Sequence, residues 1–108
     1  MGKSRLEAAL LHQIRAAKLP EPKREYRFHS KRLWRADFAY PKLKILIEVQ
    51  GGVWVNGGHS RGSGQNKDFE KFNAAQLEGW SVYQFTTNHI RTGMALEVID
   101  SAIQRATH

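Results

Sequence analysis

The chain has 108 residues, of which 41% are hydrophobic and 10% aromatic, a composition typical of a globular domain rather than of a disordered chain. This length favours a single domain over residues 1–108, because two separate cores would each be too small to offset the conformational entropy of folding. The absence of cysteine excludes disulfides and thiolate zinc sites. A formal net charge of +7 favours a polyanionic partner, nucleic acid first, over a basic surface without a partner.

The sequence contains neither a run of about 20 apolar residues nor an apolar N-terminal stretch, so we expect a cytoplasmic protein without a membrane partner. No two of the five histidines have the short helical spacing of a zinc pair. We therefore expect any metal ion to be bound by oxygen ligands.

The first half of the chain predicts one helix and three strands. A helix is expected over 4–18, since Leu6, Leu10 and Ile14 recur at intervals of four and prolines follow. Strands are predicted at 24–28, 35–40 and 44–50. The third has the clearest pattern, because its aliphatic residues alternate between the two faces of the strand.

The second half predicts a loop, a helix, a strand and a final helix, which gives the order αβββαβα. The segment 51–64 holds six of the nine glycines, and a loop of this length tends to be functional. A second helix is predicted over 65–78, with Phe69, Phe72 and Leu77 partly buried. A fourth strand is expected over 80–86, and a last helix begins near Thr92.

Two acidic residues are predicted to face each other on the hairpin of the second and third strands. If the turn sets Tyr40 opposite Ile45, then Asp37 lies opposite Glu48 on the same face. Two like charges across a ladder destabilise it, so a cation is expected between them, and Mg²⁺ or Mn²⁺ suits carboxylate ligands. Two alternatives remain: an arginine such as Arg35 could neutralise the pair, or a slip of one residue could separate the two side chains.

Two further residues are candidates beside this pair. Glu7 lies on the helix face of Leu10 and Ile14, which directs it toward the core, but Ser4 and Glu7 also match a capping box, and both interpretations stay open. Gln50 continues the face of Glu48. Its amide could bind a water or the metal, or it could face solvent at the end of the strand.

These acidic positions resemble those of the PD-(D/E)XK nuclease superfamily. The matching residues are Glu7, Asp37 in RADFAYP, and Glu48 with Gln50 in ILIEVQGG. The resemblance implies an α/β restriction-endonuclease-like core with a mixed four-stranded sheet flanked by helices. It also implies Mg²⁺-dependent hydrolysis of DNA phosphodiester bonds, with Asp37, Glu48 and Glu7 holding the ion.

A more specific resemblance extends over nearly the whole chain. The segments RADFAYPKLKILIEVQGGVW, HSRG, DFEKFNAAQLEGW and QFT are similar to small phage-type proteins grouped near Holliday junction resolvases and very-short-patch repair endonucleases. This implies a homodimer that cuts branched DNA, four-way junctions first, in recombination and repair. The alternatives are a nicking endonuclease of the mismatch-repair kind and a catalytically inactive DNA-binding module.

The chain departs from the superfamily pattern at Gln50, where the motif usually has a lysine. We expect Gln50 to position the attacking water, and we consider His59, Lys67 and Lys71 as sources of the missing proton-transfer or electrophilic group. The competing interpretation of His59 is a solvent-exposed loop histidine. The same Gln50 is the main argument for the inactive module.

DNA contacts are expected from a basic stretch, from the glycine-rich loop and from the second helix. In the basic stretch, aromatic residues interleave with the cations, a mixture suited to phosphates and exposed bases. Trp54 could stack on a base or instead pack over the site. The residues predicted to bind DNA are Arg24, Arg27, Lys31, Arg32, Arg35, Trp54, Arg61, Lys67 and Lys71.

Overall fold

The computed structural model describes residues 2–51 and 62–108, with side chains described from residue 68 onward in the second range. The helices are α1 (Lys3–Ala16), α2 (Gly62–Leu77), α3 (Thr87–Arg91) and α4 (Met94–Thr107). The strands are β1 (Lys23–Arg27), β2 (Arg35–Tyr40), β3 (Ile45–Gln50) and β4 (Ser81–Thr86). A 3-10 turn, Pro41–Leu43, joins β2 to β3. The predicted order of elements is confirmed within these ranges, with α3 as an addition.

The four strands form one mixed sheet in the order β1-β2-β3-β4. The first three strands are antiparallel neighbours, and β4 runs parallel to β3. Tyr40 pairs with Ile45, as the turn predicted, and Phe38 pairs with Ile47. The α/β class with a mixed four-stranded sheet flanked by helices is therefore confirmed.

Two apolar clusters lie on the sheet, and both follow from the alternation of side chains along β3. The larger cluster joins Ile45, Ile47 and Val49 to apolar residues of α1, α3 and α4. The smaller cluster joins Leu46 to Ala75 of α2 and to aromatic residues near the start of β4. Because β3 is buried on both faces, its polar residues Glu48 and Gln50 stand out as exceptions that need partners. None of the helices in the described ranges has the length and apolar character needed to cross a bilayer.

The structure corrects two predictions for α2. Phe69 is 56% exposed and Leu77 is 88% exposed, so both are wrong as partly buried residues. The helix packs on the sheet through the small side chain of Ala75, which turns the flanking large residues away from the smaller cluster. Phe72 is half-buried, as predicted.

The last helix, α4, begins at Met94, close to the predicted start near Thr92, but a separate helix that was not predicted precedes it. A capping box starts this helix, α3: the Thr86 hydroxyl accepts a hydrogen bond from the His89 N–H, and His89 Nδ1 accepts one from the Thr86 N–H. Gly93, at a φ of +87°, has a left-handed backbone that separates α3 from α4.

Candidate metal and nucleic-acid site

Asp37 lies at the position where the ladder between β2 and β3 stops. The last pair toward this end is Phe38 with Ile47, so the same register would next set Asp37 against Glu48. Instead, Asp37 Oδ2 accepts a hydrogen bond from the backbone N–H of Val49 at 2.7 Å. Asp37 is 6% exposed, and its carboxylate is therefore held in the fork between the two strands by a backbone donor.

The second carboxylate oxygen of Asp37 contacts a lysine of α1. Lys3 Nζ lies 3.1 Å from Asp37 Oδ1, with half of the lysine side chain exposed. Burial lowers the pKa of Lys3, but the Coulombic attraction and hydrogen bond of Asp37, with the charges of Glu48 and Glu7, outweigh it and raise the pKa overall. The Lys3 ammonium thus provides the positive charge at this end of the sheet.

Glu48 lies on the α2 side of β3 and is only 5% exposed. Its Oε2 accepts a hydrogen bond from Lys71 Nζ of α2 at 3.0 Å. Burial first, and then the charge of Asp37, raise the pKa of Glu48 to about 7, although Lys71 and Lys3 act in the opposite direction. Glu48 and Asp37 are thus electrostatically coupled. The predicted cross-strand pair of the two on one face is not formed, because Asp37 contacts Lys3 of α1 and Glu48 contacts Lys71 of α2, and these helices pack on different faces of the sheet. Each carboxylate has its own lysine rather than a shared arginine.

The position of Glu7 decides between the two interpretations of that residue. Helix α1 begins at Lys3 after the N-cap Gly2, which makes no side-chain cap hydrogen bond, so the capping box with Ser4 is wrong. Glu7 is 7% exposed and points into the acidic region. Burial first, and then repulsion from Asp37 and Glu25, raise its pKa.

Glu25 of β1 is the functional candidate that sequence reasoning missed. One carboxylate oxygen from each of Glu7, Glu25 and Asp37 lies within 4.8 Å of the other two. Glu25 has a φ of +48°, a left-handed conformation that costs a non-glycine residue roughly 1–2 kcal/mol. Backbone strain of this kind tends to occur at functional sites, because the surrounding structure has to maintain it.

These three carboxylates could hold a divalent cation. With bonds of about 2.1 Å, two oxygen ligands of an octahedral Mg²⁺ are about 4.2 Å apart when they are opposite and about 3.0 Å apart when they are adjacent. The cluster, with separations of up to 4.8 Å, would therefore have to contract around the ion. Of the three predicted ligands, Glu7 and Asp37 are brought together, whereas Glu48 is not part of the cluster and its oxygen is bonded to Lys71.

Gly51 explains why α1 can approach the end of β3 so closely. A Cβ atom at this position would lie 3.2 Å from Leu6 Cδ1 and 3.2 Å from the Cα of Lys3. These contacts are tighter than is usual for a Cβ atom, so a side chain at position 51 would require α1 to shift by a few tenths of an ångström.

The predicted basic stretch forms an exposed strip along β1, the following loop and the start of β2. Arg24, Arg27, Lys31, Arg32 and Arg35 are all exposed. Arg27 and Arg35 are direct cross-strand partners. Like charges at such positions repel each other, which favours a polyanion as the partner of this strip.

The aromatic residues of the stretch do not match the prediction that they meet exposed bases. Phe28 is 6% exposed and belongs to the smaller apolar cluster. Trp34 stacks on Phe28, with 6.4 Å between ring centroids, and the Arg32 guanidinium lies 4.3 Å from the centre of the Trp34 ring. These rings support the basic strip from beneath instead of extending from it.

The remaining predictions fall on the glycine-rich segment and the first turns of α2. Trp54, His59 and Arg61 lie outside the described residues. Lys67 belongs to α2, but its side chain is among those that the structure does not describe. Gln50 donates a hydrogen bond to Gln84 Oε1 at 3.4 Å, two residues along the strand from Glu48.

Comparison of the chain with models of protein families, with curated proteins and with solved structures finds no match in any of the three.

Proposed function

We propose that the chain is a metal-dependent endonuclease that hydrolyses DNA phosphodiester bonds, on the restriction-endonuclease-like core of the PD-(D/E)XK superfamily. The observation that carries the proposal is the convergence of Glu7, Glu25 and Asp37 from a helix and two strands, within 4.8 Å of one another. Two of these side chains are buried. Burial of like charges close together is costly, so a cation is the natural completion of the cluster.

The electrostatics of the site support the same conclusion. Burial and neighbouring carboxylates raise the pKa values of Glu7 and Glu48, so their charged forms are disfavoured in the protein as it stands. A divalent ion would stabilise these charged forms. Asp37, Glu7 and Glu25 would hold this ion, with Glu48 completing the set from the α2 side.

A bound Mg²⁺ ion would acidify a water molecule and stabilise negative charge on the scissile phosphate, and Mn²⁺ would serve the same purpose. The protein's own contribution comes from groups that are already ordered. Lys71, which contacts Glu48 at 3.0 Å, is the residue that we assign to orienting the attacking water, in place of the lysine that Gln50 replaces. The backbone N–H of Val49 fixes the orientation of Asp37.

The substrate we propose is branched DNA, with the four-way junction first and a homodimer cutting both strands. The exposed basic strip supports this choice, because it contacts a backbone without reading bases. An alternative within the same chemistry is a nicking endonuclease of the very-short-patch repair kind.

The test is incubation of the protein with a labelled four-way junction, a mismatched duplex and a plain duplex, each with Mg²⁺ and with chelator. We expect Mg²⁺-dependent cleavage of the junction, loss of cleavage in Asp37→Asn, and binding that is unchanged or tighter because charge beside phosphate is removed. Asp100→Asn on α4 is the matched control. Full activity of Asp37→Asn would exclude the site.

Glu25→Gln tests the residue that only the structure revealed. Cleavage should fall with little change in DNA affinity, because the substitution removes one charge of the cluster and keeps the side-chain shape. Wild-type cleavage by this variant would remove Glu25 from the proposed ligands.

A second candidate function is a catalytically inactive DNA-binding module, favoured by the two ion pairs. Lys3 contacts Asp37 and Lys71 contacts Glu48, so two of the carboxylates are already neutralised by the protein itself. Gel-shift binding of the junction without Mg²⁺-dependent cleavage would favour this candidate. For both candidate functions the affinity for DNA should fall steeply as the salt concentration rises. An affinity that does not change with salt would exclude the basic strip as the phosphate-binding surface.

A further inference from the structure

A cavity of about 480 Å³ lies beside the acidic site, between α2 and the ends of β3 and β4. Its walls contain two aromatic side chains, three carboxamides and one carboxylate, and the lining residues are Phe69, Phe72, Gln50, Asn73, Gln84 and Asp68. The volume falls within the range of about 300–1,000 Å³ that is usual for small-molecule sites.

The residues that line the cavity are neighbours of Glu48 and Lys71 along the chain and across the sheet. Gln84 is the β4 partner of Glu48, and Gln50 follows Glu48 by two residues on the same face of β3. Phe72 follows Lys71 on α2, and Lys71 contacts Glu48. A group that entered the cavity would therefore lie near Glu48 and Lys71.

We propose that this cavity binds one unstacked nucleobase of the DNA substrate, and that it prefers a base carrying an exocyclic amino group. The inference rests on the proposed function in one respect, namely that the partner is DNA. Phe69, 56% exposed, is an aromatic surface on which a base stacks, and Phe72 forms part of the wall. This role also gives a reason for a large apolar side chain to remain exposed on α2.

The polar groups of the cavity decide what kind of ligand fits. Asp68 is an exposed carboxylate in the wall, and it would repel a phosphate group. The same carboxylate accepts hydrogen bonds from amino groups, which adenine, cytosine and guanine carry and thymine lacks. The carboxamides of Gln50 and Gln84 already contact each other at 3.4 Å, a long hydrogen bond that a base edge could replace with shorter ones.

Titration of the isotope-labelled protein with each of the four deoxynucleoside 5′-monophosphates tests the proposal by nuclear magnetic resonance, in chelator and without metal. Deoxyribose 5-phosphate at the same concentrations reports contacts made by the phosphate alone. We expect saturable shifts of the side-chain amide signals of Gln50, Asn73 and Gln84 with the adenine, cytosine or guanine nucleotide, and weaker binding of the thymine nucleotide.

Phe69→Ala should weaken nucleotide binding about fivefold or more, since removal of a stacking aromatic typically has an effect of this size. Leu77→Ala is the matched control, because Leu77 is an exposed apolar residue of the same helix and does not line the cavity. Shifts equal to those given by deoxyribose 5-phosphate would overturn the proposal. Thymine nucleotide binding as tight as the others, or equal affinity in Phe69→Ala, would also overturn it.

The titration needs neither cleavage nor a metal ion, so its failure is distinct from failure of the nuclease proposal. Nucleotide binding in a protein without Mg²⁺-dependent cleavage would support the base site and refute the enzyme. Junction cleavage without nucleotide binding in the cavity would support the enzyme and refute the base site.

Discussion

Replacement of Glu48 by glutamine should stabilise the protein, and the gain should depend on pH. In the folded protein the pKa of Glu48 is raised from 4.5 to about 7, so folding opposes ionisation of this carboxyl group. Below pH 4.5 Glu48 is neutral in both the folded and the unfolded protein, and its contribution to the free energy of unfolding is fully present. That contribution is lost as pH rises through about 7, the pKa in the folded protein. Above about pH 7 the wild-type protein contains the buried negative charge of Glu48, which Glu48→Gln removes.

The size of the effect follows from the shift. Ionisation of Glu48 lowers the free energy of unfolding by about 1 kcal/mol at pH 5 and by about 3 kcal/mol at pH 8. The attraction between Lys71 and the ionised Glu48 is already part of this pKa, so its loss in Glu48→Gln adds no further dependence on pH. The difference between the two pH values, about 2 kcal/mol, is therefore the quantity to compare.

Urea denaturation in chelator at pH 5 and at pH 8 measures this difference. Glu97→Gln, an exposed residue of α4, is the control and should change stability by less than about 0.5 kcal/mol at either pH. A gain from Glu48→Gln that is equal at both pH values, or smaller at pH 8, would show that burial does not suppress ionisation of Glu48. The site would then lack the electrostatic cost that makes a cation favourable.

Three further predictions concern α1 and the core. Lys3→Gln should tighten Mg²⁺ binding roughly fivefold in calorimetric titration, because Lys3 competes with the ion for Asp37. This factor is equivalent to the ~1 kcal/mol of an exposed ion pair. An unchanged affinity for Mg²⁺ would contradict this competition. Phe38→Ala should lower the free energy of unfolding, measured by urea denaturation, by about 3–5 kcal/mol, since Phe38 is fully buried. The control is Leu77→Ala, at a residue that is 88% exposed, and an equal loss of stability in this control would refute the assigned core. Burial raises the pKa of Tyr40 to about 12, so ultraviolet titration should show one of the three tyrosines ionising late, with stability falling as pH rises from 10.0 through about 12; simultaneous ionisation of all three would disprove it.

The hairpin that positions Asp37 was predictable from sequence because two independent signals agree there. The alternation along β3 fixes which side chains share a face, and the short turn after Tyr40 fixes the pairing with Ile45. The unexpected contact is the hydrogen bond from the Val49 N–H to Asp37, which forms because the ladder ends at this point. No pattern of residue types marks the place where two strands separate.

Glu25 was missed because its neighbours gave no register. The connection 28–34 between β1 and β2 is longer than a tight turn, so the pairing of these strands cannot be counted along the chain. Arg24 pairs with Phe38 and Tyr26 with Ala36, which sets Glu25 level with Asp37. An acid opposite a predicted ligand would have been a candidate if this register had been known.

Helix α3 was missed for a different reason. Its capping box uses His89 in place of the usual glutamate or glutamine, so the signal at Thr86 was not recognised. The exposure of Phe69 and Leu77 was missed because helical periodicity identifies an apolar face without saying whether anything packs on it. Among the side chains of α2 that the structure describes, it is the small Ala75 that is buried against the sheet.

The backbone of Glu25 has a consequence for how molecules of this protein meet one another. β1 is an outer strand of the sheet, and its paired positions pass from Arg24 to Tyr26 without Glu25. A strand from another molecule that aligned along this sheet edge would meet an interrupted row of backbone hydrogen-bond donors and acceptors. It would also meet the exposed charges of Lys23, Arg24 and Arg27. The left-handed backbone that brings the Glu25 carboxyl group toward the cluster therefore also protects this sheet edge against fibril-like growth.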